Sequence, residues 1–278
     1  MTESPHEVIQ SELSIDNVAK LKRYTNLFGP SYGTESFAPF LHSLIRMERP
    51  KTLVEFGTGY GVSALWMALA LQANGDGHLW TFDDGSHFPQ DRLQLIAATL
   101  RREMSLAASA NEIESLHSYL KWIAKNLGLA DRITFVPAHL KDGAAIETLR
   151  GAPGFAHPID LFFSDYESSA PGLYLMLGEL LPYIADQGSI FLDSVSTYYD
   201  TFVALERLVM QLNEQRIPNL IGRNSNPEQI ALLRHTLETN ELRLLHLLEP
   251  GKAKQNSRAW LRKVPVDLIP FSPELLSW

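Results

Sequence analysis

"TLVEFGTGYGVSALWMALAL", residues 52–71, runs from a short apolar segment through glycines at 57, 59 and 61 into an alanine- and leucine-rich stretch. Residues 52–56 read as a strand and 62–73 as a helix, so the chain must reverse within the glycines. Glycine permits the positive φ and the bare backbone that so tight a turn requires. Residues 74–77 then form a turn and 78–83 a second strand, which completes a βαβ unit. In such a unit the loop between strand and helix can approach a ligand with no side chain intervening.

The pattern extends on both sides. Upstream, 7–28 reads as a polar helix and 37–47 as an amphipathic one, with Pro50 marking the boundary before the first strand. Downstream, 90–127 carries two helical patterns broken near 109–111, and 132–138 is a third strand. A short helix over 144–149 precedes 159–164 (IDLFFS), a continuous apolar run suited to a strand buried on both faces. Helix 171–184, strand 189–193, helix 199–215, a loop over 216–226 and helix 227–239 follow. Strands 242–248 and 258–264 close the series as an antiparallel pair. Alternating strands and helices predict an α/β fold, with a mainly parallel, doubly wound sheet and its ligand crevice at the carboxyl ends of the strands.

A chain of 278 residues, 45% hydrophobic, can bury a substantial core. Its formal charge of −8, from 32 acids against 24 bases, offers no broad basic surface for nucleic acid and no polybasic segment for a membrane. The absence of cysteine excludes disulfides, a thiolate zinc site and a Cys nucleophile. The opening MTESPHEVIQSELS has neither signal- nor transit-peptide character, and no apolar run reaches bilayer-spanning length. A soluble, cytoplasmic protein is expected.

Asp83 ends the second strand about 20 residues after the glycine loop, where an acid accepts hydrogen bonds from both ribose hydroxyls of a nucleoside. Asp84 suits a capping role in the turn that follows. A dinucleotide would set its pyrophosphate at the helix N-terminus and wants a third glycine where Val62 stands. Glu55 would repel that phosphate. S-adenosylmethionine carries an ammonium and a sulfonium and no phosphate, so an acid beside the loop favours it.

On Val54-Glu55-Phe56-Gly57-Thr58-Gly59-Tyr60-Gly61 and Trp80-Thr81-Phe82-Asp83, the chain resembles the class I S-adenosylmethionine-dependent methyltransferases. Ile159 to Asp165, Leu181-Pro182 with Gly188, and the terminal strand pair extend the likeness over most of 50–264. The resemblance implies a Rossmann-like sheet of seven strands with an antiparallel terminal strand. It also implies donor contacts from Glu55, Gly57, Thr58, Gly59, Gly61, Asp83, Asp84 and Asp165. The spacing is most similar to the catechol-type O-methyltransferases, whose strand-end acids hold a divalent metal, and this implies Mg²⁺ on Asp165, Asp193 and Ser194. Ser194 stands where that pattern has Asn, and Ser168 where it has a basic Lys. Asp165 and His139 are the candidate catalytic groups.

The domain reading is an N-terminal helical segment (1–49), a methyltransferase domain (50–264) with a helical insertion near 90–127, and a C-terminal tail (265–278). The expected function is methylation of a small-molecule acceptor at oxygen, with no nucleic-acid or membrane partner and with room for a homodimer. Two alternatives are a catalytically silent cofactor-binding subunit and a nucleotide-dependent oxidoreductase.

Overall fold

A strand followed at once by an apolar helix buries both, and this is how the quoted segment folds. In the computed structural model, β1 (Thr52–Phe56) leads through the glycine loop into α3 (Val62–Asn74), whose residues Val62 to Leu71 are all buried. A helix apolar on every side belongs inside a core. The model describes residues 5–28, 37–106, 113–140, 145–155, 158–196, 199–249 and 257–268, without the side chains of 5–15 and 199. The expected break near 109–111, Tyr198 and the tail beyond 268 lie outside the described residues.

Two compact units divide the chain, Met1–Leu140 and Lys141–Trp278. In the first, α1 (Pro5–Phe28) and α2 (Phe37–Glu48) precede β1. They are followed by α3, β2 (His78–Asp83), α4 (Gln90–Met104), α5 (Leu116–Asn126) and β3 (Ile133–Pro137). β1 pairs in parallel with β2 from Thr52↔His78 to Phe56↔Phe82, and β2 with β3 from Leu79↔Ile133 to Asp83↔Pro137. The α5 start is fixed by a capping box, in which Ser115 and Ser118 satisfy each other's backbone amides.

The second unit holds α6 (Ala145–Arg150), β4 (Ile159–Ser164), α7 (Ala170–Leu180), β5 (Ile184–Asp193) and α8 (Tyr199–Asn213). It continues with α9 (Asn219–Asn224), α10 (Pro227–Thr239), β6 (Asn240–Leu248) and β7 (Ser257–Pro265). β4 and β5 are parallel, while β7 runs antiparallel to both β5 and β6. The seven strands thus comprise β3-β2-β1 in the first unit and β4-β5-β7-β6 in the second. This is the expected Rossmann-like arrangement, mostly parallel, and its antiparallel member is the last strand in sequence, β7, which lies between β5 and β6. No helix among the described residues is long and apolar enough to cross a membrane.

Two element boundaries differ from expectation. The helix expected over 171–184 stops at Leu180, a 3₁₀ turn Leu181–Tyr183 follows, and β5 starts at Ile184 rather than 189. The polar Asp186 and Gln187 resemble a turn in sequence, yet the strand is held there by β7: Lys263 Nζ donates to the Ile184 carbonyl at 2.8 Å and pairs with Asp186 at 3.3 Å. The loop expected over 216–226 contains α9, anchored by buried Ile221.

Candidate functional site

Within the first unit, the glycine loop and the end of β2 are tied by one carboxylate. Asp83 Oδ2 accepts the Gly59 amide at 3.0 Å and Oδ1 accepts the Gly85 amide at 2.8 Å. Gly57, Gly59 and Asp83 are half-buried, so an edge of loop backbone and carboxylate stays accessible. The His117 ring Nε2 donates to the Asp83 carbonyl at 2.9 Å. A carboxylate oxygen offers more than one lone pair, so Asp83 can hold both amides and still accept a ligand's hydroxyls.

Gly57, Gly59 and Gly61 all have positive φ. At Gly61 φ is +80°, the residue directly precedes α3, and a Cβ there would lie 2.7 Å from Leu120 Cδ2. Gly61→Ala should therefore cost about 2 kcal/mol or more in stability, read from chemical unfolding midpoints.

Glu55 lies inside, beneath the loop, with no exposed surface. Its Oε1 is hydrogen-bonded to the Ser63 hydroxyl from the first turn of α3, and its Oε2 to the Thr81 hydroxyl from β2. Thr81 Oγ1 is in turn 2.6 Å from Thr58 Oγ1. Burial pushes the Glu55 carboxyl up to about 8; the Ser63 and Thr81 hydrogen bonds pull it back, and Asp83 adds to the rise. Thr58 is buried beside this network.

The loop is also braced from the N-terminal helix. The Tyr24 hydroxyl donates to the Tyr60 carbonyl, and Tyr119 supplies its own hydroxyl proton to Tyr24 at 2.7 Å. Phe28 stacks on the Tyr60 ring at 4.7 Å, and Phe88 meets it edge-on at 4.9 Å. Asp84 accepts the Ser86 amide, as a capping acid would, and pairs with His139 Nδ1 at 2.7 Å on the surface. The His139 contact first, and the Ser86 amide second, hold Asp84 below the usual carboxylate range.

In the second unit, the register Ser164↔Leu192 makes Asp165 and Asp193 the next residues on neighbouring parallel strands. Asp165 is exposed, whereas Asp193 is 2% exposed. Asp193 Oδ1 accepts the Ser194 amide at 2.8 Å and lies 2.7 Å from Arg258 Nε. Arg258, fully buried, also pairs with Glu249. Burial pushes the Asp193 carboxyl up, against the pull of Arg258. Ser194 has a left-handed φ of 59°, and its buried hydroxyl has no hydrogen-bond partner among the described residues. That hydroxyl is a ready oxygen ligand, but the buried Arg258 guanidinium lies 2.7 Å from Asp193, so a divalent ion on this acid would stand beside a charge of like sign, and the expected metal set does not fit it. Among the described residues, no cluster of three or more His, Asp or Glu side chains could hold a metal.

The sequence assigned roles to Glu55, the glycines, Asp83, Asp84, Asp165 and Asp193, but none to Ser63, Thr81, Tyr24, His117 or Arg258. A hydroxyl in each of two otherwise apolar segments, Ser63 and Thr81, was the legible hint of a buried polar partner.

A family model described as a methyltransferase domain matches residues 54–195, just over half of the chain. The chain belongs to this methyltransferase family. Among solved structures it is similar to the O-methyltransferase TomG of Streptomyces achromogenes, involved in tomaymycin synthesis and bound to S-adenosylmethionine. That match has 15% identity, covers 90% of this chain and 89% of that one, and has a TM-score of 0.46. An O-methyltransferase of Bacillus cereus bound to S-adenosylhomocysteine shows 15% identity over 95% of this chain and 93% of its own, with a TM-score of 0.42. The methyltransferase PaMTH1 of Podospora anserina shows 15% identity over 95% and 98%, with a TM-score of 0.46. At these scores the family assignment rests on the sequence match alone. No curated protein matches the chain.

Proposed function

We propose that this methyltransferase takes its methyl group from S-adenosylmethionine and delivers it to an oxygen of a small-molecule acceptor. The carrying observation is Asp83, a half-buried carboxylate at a strand end that draws the Gly59 and Gly85 amides around one accessible edge. That edge suits a ribose. Val62 in the first turn of α3 stands where a dinucleotide-binding loop has its third glycine, the one that lets helix and strand pack closely. The bound donor supplies an electrophilic methyl on a sulfonium; the acceptor oxygen forms the new C–O bond, the C–S bond breaks, and the acceptor's proton leaves.

The chain's own residues hold the two reactants in line, and orientation of this kind can supply roughly 7 to 11 kcal/mol. Gly57, Thr58, Gly59 and Gly61 shape the donor wall, and Asp83 takes the ribose. Buried Glu55 supports the loop from behind through Ser63 and Thr81. Asp165, exposed at the β4 end, is assigned to the acceptor side, and His139, oriented by Asp84, is the candidate base for the leaving proton.

Calorimetry with S-adenosylmethionine and S-adenosylhomocysteine, followed by labelled-methyl transfer into a metabolite extract, tests the reading. One-to-one binding and a labelled product are expected. Absence of binding to either ligand would overturn it.

A further inference from the structure

The Asp193 strand end already contains a cation. β5 and β7 are antiparallel neighbours in which Asp193 and Arg258 are register partners, so the ion pair is built into the sheet rather than made by mobile surface side chains. Both partners are almost wholly buried, at 2% and 1% side-chain exposure. Arg258 reaches Asp193 through Nε and Glu249 through a terminal nitrogen, so one guanidinium holds two carboxylates. Arginine does not deprotonate in proteins, so this positive charge is permanent.

We infer that Arg258 is the resident cation of this strand end, occupying the electrostatic place that a catechol-type likeness would give to Mg²⁺, and that no divalent metal binds there. Mg²⁺ demands near-octahedral oxygen ligands at close range and gives up water reluctantly. Here Asp193 Oδ1 already accepts the Ser194 amide and lies against Arg258 Nε, and a metal on that oxygen would sit beside a guanidinium of like sign. Position 194 is a neutral serine rather than an amide-bearing asparagine, and position 168 is serine rather than lysine. The charge that a metal and a lysine would bring is thus carried from β7. The consequence that methyl transfer proceeds without a metal rests on the proposed function; the binding statement does not.

The test is a titration of Mn²⁺ into the intact protein, followed by the electron paramagnetic resonance signal of the free ion. Wild type and Asp165→Asn, a substitution at an exposed strand end, should give superimposable curves. A one-to-one site in wild type that weakens about tenfold or more in Asp165→Asn would overturn the inference. In Arg258→Met, removal of the guanidinium leaves Asp193 and Glu249 uncompensated, and Mn²⁺ should bind about tenfold or more tightly than in wild type. Equal binding by wild type and a folded Arg258→Met would show that Arg258 does not exclude the metal. Should Arg258→Met fail to fold, the first comparison decides alone. Donor binding measured on the same samples reports separately on the methyltransferase reading, and its failure would leave the Mn²⁺ result standing.

Discussion

Glu55→Gln should be more stable than wild type at pH 7 to 8 and equal to it near pH 4. The Glu55 carboxyl is raised by burial to about 8, from an ordinary value of 4.5. Below the lower value the acid is neutral in both folded and unfolded chains, and its contribution to stability is fully present. As pH rises the unfolded chain releases the proton while the folded chain keeps it. Stability is lost through this window until the folded group also ionises near pH 8. At neutral pH the accumulated loss is roughly 3 kcal/mol. Glutamine has nearly the same shape and cannot ionise. Its carbonyl can accept from one of the hydroxyls of Ser63 and Thr81, and its amide can donate to the other, because a hydroxyl serves in either role.

Chemical unfolding at pH 4.5 and pH 8 checks this: the stability difference between variant and wild type should grow with pH. A variant less stable than wild type at pH 8 would mean that Glu55 is ionised in the fold, with both hydroxyls donating to it. The same pair of proteins tests how Glu55 relates to the donor. A cation placed against this carboxyl would expel its proton, so binding heats would then differ between buffers of different ionisation enthalpy. With Glu55 sealed beneath the loop, the binding heat is expected to be the same in every buffer for wild type and Glu55→Gln alike.

The β1–loop–α3–β2 segment was legible because its information is local: glycines fall between a strand and a helix, and Asp83 lies one element further on. IDLFFS was legible as an interior strand for the same reason, and its burial is nearly continuous. The β5 start was not, because Asp186 and Gln187 look like a turn until Lys263 from β7 is laid beside them. Glu55 shows the same limit at the site. Its place next to the glycines suggested a carboxylate facing a cationic ligand, but its burial is decided by Ser63 and Thr81, which come from different elements. Arg258 is further removed still, since only the β5–β7 register reveals that it faces Asp193. Local motifs therefore mark the loop that is the candidate for binding, while pairings across the sheet decide the protonation and charge of the acids around it.

Asp83→Ala should weaken S-adenosylmethionine binding by roughly a hundredfold or more, the consequence of losing two charge-assisted hydrogen bonds to the ribose. That loss alone is ambiguous, because the same carboxylate also holds the amides of Gly59 and Gly85 at 3.0 and 2.8 Å, and its removal loosens the loop. A ligand lacking the hydroxyls separates the two roles. If Asp83 accepts from the ribose, wild type should bind S-adenosylhomocysteine far more tightly than its 2′,3′-dideoxy analogue, while Asp83→Ala should bind the two about equally. The cycle then has a coupling energy of a few kcal/mol, about the size expected of groups in direct contact. If Asp83 only organises the loop, deoxygenation and mutation should weaken binding independently and their costs should add. Unfolding midpoints on the same variants measure how much of the carboxylate's contribution is spent on the two glycine amides, and calorimetry with the analogue pair measures what remains for the ligand.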